Sequence, residues 1–310
     1  MADPLNFPPD SDLRWYGSPT PGAAVRSVIG LVHPGEMGAA VGASCIAAGA
    51  DVLWASDARS AASALRAEEA GLRDVGWING LVNQAQMVLS ICPPDAAEEM
   101  AEEITNLGFN RLYVDANAIS PATARRIAER VEQTGADFVD AGIIGGPPTA
   151  TRAGATRLYL SGPEAQRAAR MLAGGPLDVV VLDGPVGAAS ALKMAYAAWT
   201  KGTSALLLTI EALALEEGVH GALMQEWAKS QPELIARSER LGGAAAKAWR
   251  WIGEMQEIAA TLEAAGLPSG VPQAAEEVYR ALAPFKDDHD APGGAELARY
   301  LVQRERAGEA

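Results

Sequence analysis

The feature that most constrains the fold is the segment 28–38, in which an apolar run passes through a glycine-containing turn into a helical pattern. The run Val28–Val32 is typical of a buried strand, and residues 36–48 are rich in small side chains that favour a helix. A helix that follows such a turn presents backbone N–H groups and the positive end of its dipole, which together bind a pyrophosphate. The segment therefore predicts a dinucleotide site.

The turn departs from the usual G-x-G-x-x-G pattern because His33 stands where the first glycine belongs. Gly35 and Gly38 fit the second and third positions, which allow the backbone to approach phosphates and the helix to pack closely on the strand. His33 and Pro34 must then shape the turn differently. An ordinary strand-to-helix turn would explain the same glycines. The residues expected to contact the cofactor here are His33, Pro34, Gly35, Glu36, Met37 and Gly38.

Short runs of Val, Leu and Ile alternate with helical segments from residue 27 to about residue 184, which indicates βαβ units and a parallel sheet. The predicted strands are 28–32, 51–55, 87–92, 111–115, 138–143, 158–160 and 179–182. The predicted helices between them are 36–48, 58–70, 95–106 and 121–134, and the last has Ser120 as N-cap and Pro121 at its first position.

After Gly187 the β-branched runs disappear, and residues 188–218 predict one long helix that opens a helical second half. A polar loop, 287–294, precedes a last short helix. The expected organisation is a flexible tail (1–26), a Rossmann domain (27–184) and a helical substrate and dimerisation domain (185–310).

Composition narrows the class of partner. A net charge of −14 argues against a nucleic-acid or anionic membrane surface. No apolar run approaches the roughly 18 to 20 residues that span a bilayer, and the first 26 residues lack a signal-peptide pattern. Cys45 and Cys92 form no metal or disulfide motif, and His33, His220 and His289 are scattered. We therefore expect a cytoplasmic protein with a small-molecule substrate and no catalytic metal.

The loop after the second predicted strand bears on cofactor choice, because a Rossmann domain reads the adenosine ribose there. Ser56, Arg59 and Ser60 together suit a 2′-phosphate, whereas Asp57 suits a free 2′-hydroxyl. We expect a preference for NADP(H), with NAD(H) as the alternative. Solvated loop charges and a helix cap at Ser60 would explain the same residues.

Three later loops hold further candidates. Cys92 and Pro93 follow the third strand, where proline fixes the backbone. The amide of Asn117 suits a hydrogen bond to a carboxamide or ribose, or one within its own loop. Gly145 and Gly146 allow a substrate to approach the backbone, as in an anion site, or simply form a tight loop.

Lys193 lies in a stretch, 187–197, made almost wholly of small and apolar residues. A lysine on such a face often extends to solvent. When it is partly desolvated, its pKa falls toward neutrality, which suits a general acid or base. Tyr196 lies on the same helical face and would supply a second hydroxyl.

Four segments, 29–38, 115–121, 140–146 and 187–193, resemble in order and spacing the β-hydroxyacid dehydrogenases, the superfamily that includes 6-phosphogluconate dehydrogenase and the imine reductases. The resemblance spans roughly residues 27–283, and residues 248–279 resemble an uncharacterised C-terminal helical domain of one branch. It implies an α/β chain with an N-terminal Rossmann domain, a long inter-domain helix and an all-helical C-terminal domain, forming a homodimer. It also implies that Lys193 handles the proton while hydride passes between nicotinamide and a substrate carbon.

Two departures from the family pattern bear on the substrate. Ile144 stands where the family has a serine that helps bind a substrate carboxylate, and Ala197 stands where it has an asparagine. This implies a substrate bulkier or less polar than a simple 3-hydroxy acid, contacted by Ile144, Gly145, Gly146 and Ala197.

The leading hypothesis is an NADP-preferring oxidoreductase that interconverts an alcohol and a carbonyl compound. The alternatives are an imine reductase or reductive aminase, and a non-catalytic dinucleotide-binding sensor. Trp249, Arg250 and Glu254 are interpreted as a dimer contact, and the alternative is that they reach the active-site cleft from the helical domain.

Overall fold

The computed structural model describes residues 13–15, 26–288 and 290–308. Its strands are β1 (Leu13–Trp15), β2 (Val28–Val32), β3 (Asp51–Trp54), β4 (Arg73–Asp74), β5 (Met87–Ser90), β6 (Leu112–Asp115), β7 (Asp137–Ile144), β8 (Arg157–Ser161) and β9 (Asp178–Leu182). The first helices are α1 (Glu36–Ala47), α2 (Ala61–Glu69), α3 (Ile78–Gln84), α4 (Ala97–Asn106), α5 (Pro121–Glu132) and α6 (Ala165–Leu172). The later helices are α7 (Ala188–Glu216), α8 (His220–Ser230), α9 (Pro232–Glu239), α10 (Leu241–Ala245), α11 (Ala248–Ala264), α12 (Gly270–Ala281) and α13 (Gly294–Gly308).

The strands form one sheet in the order β1-β9-β8-β7-β6-β5-β2-β3-β4. From β4 to β7 all neighbours run parallel, with the first of these strands, β2, in the middle, which is the Rossmann order. The predicted fold class is therefore confirmed. The predicted parallel sheet is wrong for β8, which pairs antiparallel with β7, because the segment that joins them contains no crossover helix. β9 follows β8 in parallel.

Both faces of the sheet are covered by helices, as the alternation along β2 illustrates. Ile29 and Leu31 belong to one buried cluster, which includes Val41 and Cys45 of α1. Val32 belongs to the other cluster, with residues of α3, α4 and α5. A strand buried on both faces reads as a continuous apolar run, which is why β2 was recognisable in the sequence.

Several elements differ from the prediction. The helix predicted over 58–70 begins only at Ala61, because Ala58 has a φ of 56° and Ser60 caps α2 through its hydroxyl. The helix predicted over 95–106 begins with a 3-10 turn, Pro94–Ala96. Helices α3 and α6 and the exposed two-residue strand β4 were not predicted. The last helix, α13, is 15 residues long rather than short.

The segment predicted as a flexible tail contributes a strand to the sheet. Leu13–Trp15 pairs antiparallel with β9. Residues 1–12 and 16–25 of that segment lie outside the described residues, as does His289. For those residues the tail stays a prediction.

The chain divides into two compact units, Met1–Lys193 and Met194–Ala310. The division falls inside α7, whose 29 residues confirm the predicted long helix, whereas the predicted domain boundary lies at residues 184 and 185, between β9 and α7. No helix in the described part of the chain is long and apolar enough to cross a membrane.

The second unit is built from helices, as predicted. Helices α11 and α12 are joined by an edge-on contact of Trp251 with Tyr279, whose ring centroids lie 5.1 Å apart, and Tyr279 donates a hydrogen bond to the carbonyl of Lys201. Glu254 is buried and accepts a hydrogen bond from Lys201. The interpretation of Glu254 as a dimer contact is therefore wrong, because its side chain is buried within this unit.

Candidate functional site

In the turn after β2, His33 adopts the backbone conformation that the first glycine of the G-x-G-x-x-G motif would otherwise provide. His33 has a φ of 64°, in the left-handed region that favours glycine, and its carbonyl accepts a hydrogen bond of 2.8 Å from the N–H of Gly35. A Cβ on Gly38 would collide with the His33 carbonyl oxygen, so this glycine lets α1 start close against the turn. His33 and Gly38 together produce the tight strand-to-helix turn.

The start of α1 fits a phosphate group. Gly35 is the N-cap and provides no side-chain cap bond, and a Cβ added there would meet nothing within 4 Å. The first N–H groups of a helix lack partners within the helix. Open space in front of these donors suits a pyrophosphate. Glu36, Met37 and Gly38 form the first turn of α1.

A pocket of about 270 Å³ lies beside this turn. It brings together three of the predicted cofactor residues, His33, Asp57 and Arg59. Residues from α3 and α4, which the sequence did not single out, complete it. Its lining consists of His33, Ala55, Asp57, Ala58, Arg59, Ile78, Ala96, Glu99, Met100 and Glu103.

His33 is neutral at neutral pH in this setting. Burial, together with the nearby positive charge of Arg59, lowers the pKa of its imidazole to about 4. Its Nδ1 atom is buried and has no hydrogen-bond partner among the described residues. The ring therefore adds no positive charge beside Arg59.

The residues of the loop after β3, which were predicted to read the adenosine ribose, have different surroundings in the structure. Ser60 caps α2 by accepting a hydrogen bond of 3.2 Å from the N–H of Ser63, so its hydroxyl performs the capping role. Ser56 donates its backbone N–H to Asp74, and Asp57 is exposed. Arg59 is half-buried and lines the pocket.

Sequence reasoning missed Arg66 of α2. Its Nε donates to the carbonyl of Pro34 at 3.4 Å, and its guanidinium also donates to Ser63 at 3.2 Å. Arg66 therefore lies at the same turn as Gly35. Arg66 lies in the second turn of α2, so the sequence could have placed it near the cofactor turn only if the start of α2 had been predicted correctly.

Asn117 holds its own loop. Its Oδ1 accepts from the backbone N–H of Cys92 at 2.6 Å, and its Nδ2 donates to Ser90 at 3.1 Å and to Asp115 at 3.0 Å. The bonds with Cys92 and Ser90 connect the ends of β5 and β6, and the bond to Asp115 lies within the loop of Asn117 itself. Of the two roles predicted for Asn117, this geometry matches the structural one.

Cys92 and Pro93 shape the loop after β5. Burial, with a smaller effect of the Asp115 charge, raises the pKa of the Cys92 thiol to about 12, so it is not a nucleophile. Pro93 directly precedes the 3-10 turn that leads into α4.

The end of β7 carries the residues predicted to face the substrate. Ile144 is buried and pairs in register with Arg157 of β8. Gly145 has a φ of 121°, and a Cβ there would lie 2.7 Å from the carbonyl oxygen of Ala155. Gly146 has open space, and its carbonyl accepts from the Thr156 hydroxyl. Of the two glycines, only Gly146 has open space at the position of a Cβ.

Lys193 lies near the start of α7 and is half-buried. A Cβ added to Gly142 of β7 would lie 3.1 Å from the Cβ of Lys193, so the helix passes close to the strand at this point. Tyr196 and Ala197 follow in the second unit, where Tyr196 is exposed and Ala197 is buried.

Two buried aspartates, Asp115 and Asp140, lie side by side in the sheet. Asp115 of β6 pairs in register with Asp140 of β7. Burial, with a further contribution from the negative charge of Asp140, raises the pKa of Asp115 to about 7. Sequence reasoning gave neither carboxylate a role. Asp140 bonds Gly187 and Ser190, which lie far along the chain, whereas Asp115 bonds Asn117 two residues away.

Two family models match the chain. Residues 27–172 match the NAD binding domain of 6-phosphogluconate dehydrogenase, and residues 214–282 match a domain of unknown function, DUF1932. Mitochondrial 3-hydroxyisobutyrate dehydrogenase of Drosophila melanogaster is 28% identical over 141 residues, which cover 44% of this chain and 43% of that protein. The chain spans about half the length of the curated relatives it matches.

Solved structures resemble most of the chain. The conserved protein MTH1747, described as structurally similar to 3-hydroxyacid dehydrogenases, matches with a TM-score of 0.59 and 26% identity over 83% of this chain and 97% of its own. The imine reductase from Myxococcus stipitatus in complex with NADP+ matches with a TM-score of 0.51 and 22% identity over 89% of this chain and 99% of its own. The second likeness concerns the fold alone.

Proposed function

We propose that this chain, which belongs to the β-hydroxyacid dehydrogenase-like family and carries a C-terminal helical domain, is an NAD(P)-dependent oxidoreductase that interconverts a carbonyl compound and an alcohol. The observation that carries the proposal is the position of Lys193. It is the first lysine of the chain, although arginine occurs throughout the preceding residues. Arginine stays protonated in proteins, whereas lysine releases its proton when its surroundings favour it. The half-buried start of α7 thus holds the one side-chain amine of the first unit.

Lys193 is assigned the proton transfer. A nicotinamide, when bound, would supply the hydride in reduction and accept it in oxidation. In reduction the Lys193 ammonium would donate a proton to the substrate oxygen, and in oxidation the neutral amine would remove the proton from the hydroxyl. Tyr196, three residues further along α7, is assigned a supporting hydroxyl.

The proposed cofactor preference is NADP(H). Arg59 lines the pocket next to the turn, and Arg66 donates to the Pro34 carbonyl within it. Guanidinium groups bind phosphate oxygens strongly, which suits a 2′-phosphate. Asp57, Glu99 and Glu103 line the same pocket and oppose this charge, so the preference depends on the two arginines.

The proposed substrate is bulkier or less polar than a simple 3-hydroxy acid. Ile144 and Ala197 are both buried and apolar at the positions expected to meet the substrate. Neither side chain can hydrogen-bond a carboxylate. The same apolar character favours a second candidate function, the reduction of imines.

A cofactor titration followed by a substrate screen tests the proposal. NADPH and NADH are titrated into the protein, and carbonyl compounds are then offered with and without an amine while nicotinamide absorbance is followed. We expect turnover with ketones or aldehydes alone, lost in Lys193→Ala. Turnover that requires the amine would favour the imine reductase, and NADPH binding without any turnover would favour the sensor. Full turnover by Lys193→Ala would remove the lysine from the mechanism.

We also propose that the chain forms a homodimer. Four large apolar or aromatic residues of α7 are exposed: Tyr196 by 46%, Trp199 by 69%, Leu206 by 54% and Leu213 by 60%. They recur along α7 at the three- and seven-residue spacing that places side chains on one helical face. The stripe extends over about 26 Å at 1.5 Å per residue. A second copy of the chain presents the same stripe, and a two-fold axis would bury both.

A further inference from the structure

Asp140 is a fully buried carboxylate in the middle of β7. Its Oδ2 accepts hydrogen bonds from the Ser161 hydroxyl at 2.8 Å, the Gly187 N–H at 2.9 Å and the Ser190 N–H at 3.1 Å. Its Oδ1 accepts from the Ser190 hydroxyl. Four donors therefore surround one carboxylate, and three of them belong to the start of α7 and the glycine that precedes it.

Other helices of this unit begin differently. Helices α2 and α5 are capped by the serine that directly precedes each of them, Ser60 and Ser120. The N-terminus of α7 instead binds a charge from a strand 47 to 50 residues earlier in the chain. A carboxylate at a helix N-terminus is favoured by the helix dipole, and the four hydrogen bonds offset the cost of burying the charge. The helix is thereby fixed to the sheet at its first turn.

The same strand fixes the rotation of α7. A Cβ added to Gly142 would lie 2.7 Å from the Ala189 carbonyl oxygen and 3.1 Å from the Cβ of Lys193. The absence of a side chain at Gly142 lets the helix lie directly against β7. The Lys193 side chain therefore leaves the helix at a defined point beside the strand.

We propose that Asp140, together with Ser161 and Ser190, is a positioning group that fixes the place of the Lys193 side chain. This inference rests on the proposed role of Lys193 in proton transfer. Asp140 binds the start of α7 through Gly187 and Ser190, and Lys193 follows Ser190 by about one helical turn. Weaker hydrogen bonds to Asp140 would therefore let the Lys193 side chain leave its place beside β7.

The matched test is Asp140→Asn, which keeps the shape and removes the charge. The substitution weakens the hydrogen bonds that hold the start of α7, so we expect the Lys193 side chain to lose its fixed place. Ser190→Ala removes one hydrogen bond and keeps the charge, so its effect is smaller. Ser44→Ala is the control, because Ser44 is an equally buried serine whose hydroxyl accepts from Leu177 in the same unit.

The place of the Lys193 side chain is followed without any enzymatic assay. Reductive methylation with carbon-13 formaldehyde labels the amines of the chain's five lysines for NMR, and the Lys193 signal is the one missing from Lys193→Arg. We expect the chemical shift of Lys193 at a fixed pH to change in Asp140→Asn, with the other four signals and the Ser44→Ala control unchanged. An unchanged Lys193 signal in a folded Asp140→Asn protein would overturn the inference.

Kinetics provide the second measurement. With a verified substrate, Asp140→Asn should lower kcat by about tenfold or more and leave the KM for the cofactor near the wild-type value. If Asp140→Asn does not fold, Ser161→Ala and Ser190→Ala combined serve as the variant, with a smaller change of the Lys193 signal expected. A changed Lys193 signal in a protein without turnover would refute the proposed function and leave the positioning role standing.

Discussion

At the scale of single residues, His33 combines a backbone conformation that favours glycine with a side chain that lines the pocket. Its φ of 64° is one that a residue with a Cβ seldom adopts. The residue is half-buried, and its Nδ1 has no hydrogen-bond partner within the part of the chain that the structure describes. Glycine would accept the backbone conformation without strain, but it would also remove the ring from the pocket. The backbone and the side chain therefore have to be tested separately.

Two substitutions at this position separate them. His33→Gly and His33→Ala both remove the ring, but only alanine keeps the Cβ that strains the left-handed conformation. We expect His33→Gly to be more stable than His33→Ala by about 1 kcal/mol. Urea unfolding at pH 7 measures the difference. Equal stabilities would show that the turn relaxes to another conformation in the alanine variant.

Asp115 makes stability depend on pH in a defined direction. Burial and the charge of Asp140 raise its pKa from 3.8 to about 7 in the folded chain. The folded state therefore binds a proton more tightly than the unfolded state, so the contribution of Asp115 to stability decreases as the pH rises from about 4 to about 7. His33 acts in the opposite sense, because its lowered pKa costs stability as the pH falls from 6.5 to about 4.

The Asp115→Asn variant isolates the first effect. The difference in unfolding free energy between wild type and variant should decrease from pH 4 to pH 7, because His33 contributes equally to both proteins. Urea unfolding at several pH values measures this slope. The absolute stability of the variant is expected to be lower, since Asp115 also accepts from Asn117, and a pH-independent difference would contradict the prediction.

At the scale of elements, helix α2 determines the proposed choice between cofactors. Arg59 precedes it and Arg66 lies within it, and both belong to the surroundings of the 33–38 turn. Arg59→Ala should weaken NADPH binding by about 10- to 100-fold and NADH binding much less, because a charge-assisted hydrogen bond contributes about 1.5 to 3 kcal/mol. Fluorescence titration with both cofactors measures the ratio.

Arg73→Ala is the matched control for this test. Arg73 forms a surface ion pair with Asp51 at 2.9 Å in the same unit and does not line the pocket. Its replacement should leave both affinities unchanged. Equal loss of NADPH and NADH affinity in Arg59→Ala would indicate a role at the pyrophosphate rather than at a 2′-phosphate.

Helix α7 carries the proposed dimer contact on its exposed stripe. The double variant Leu206→Glu and Leu213→Glu places charges on both sides of the two-fold contact and should convert the dimer to a monomer. Sedimentation equilibrium measures the mass. Leu267→Glu, at a leucine that is 54% exposed outside α7, should leave the mass unchanged. A wild-type monomer would exclude the proposal, as would a dimer that the α7 substitutions leave intact.

The elements also mark the limit of prediction from sequence. The strands of the parallel core were recognisable because burial on both faces produces a continuous apolar run, as in Val28–Val32. Strand β4 was not, since its two residues are exposed and paired only through the backbone. The reversed direction of β8 depends on the lack of a crossover helix between β7 and β8. The Asp140 contact with α7 joins segments 47 to 50 residues apart, which no local pattern encodes.

At the scale of the whole molecule, the overall negative charge contrasts with the arginines near the 33–38 turn. The chain has a net charge of −14, yet the pocket beside the turn contains Arg59 and the turn itself contacts Arg66. A negatively charged protein that binds an anionic cofactor must do so through such local donors. The motif could be predicted from the sequence, whereas Arg66 could not, because its contact with Pro34 depends on how α2 packs.

Lys193 is the last residue of the first unit, so proteolysis at this residue can be used to measure local opening of α7. A lysine-specific endoprotease has no site in the first unit before Lys193, and cleavage there would release residues 1–193 as one fragment. Because Lys193 lies inside α7, the peptide bond is cut only when the helix opens locally. The rate at which this fragment appears therefore measures the opening of α7. Asp140→Asn should accelerate it, since the hydrogen bonds that fix the start of the helix are weakened.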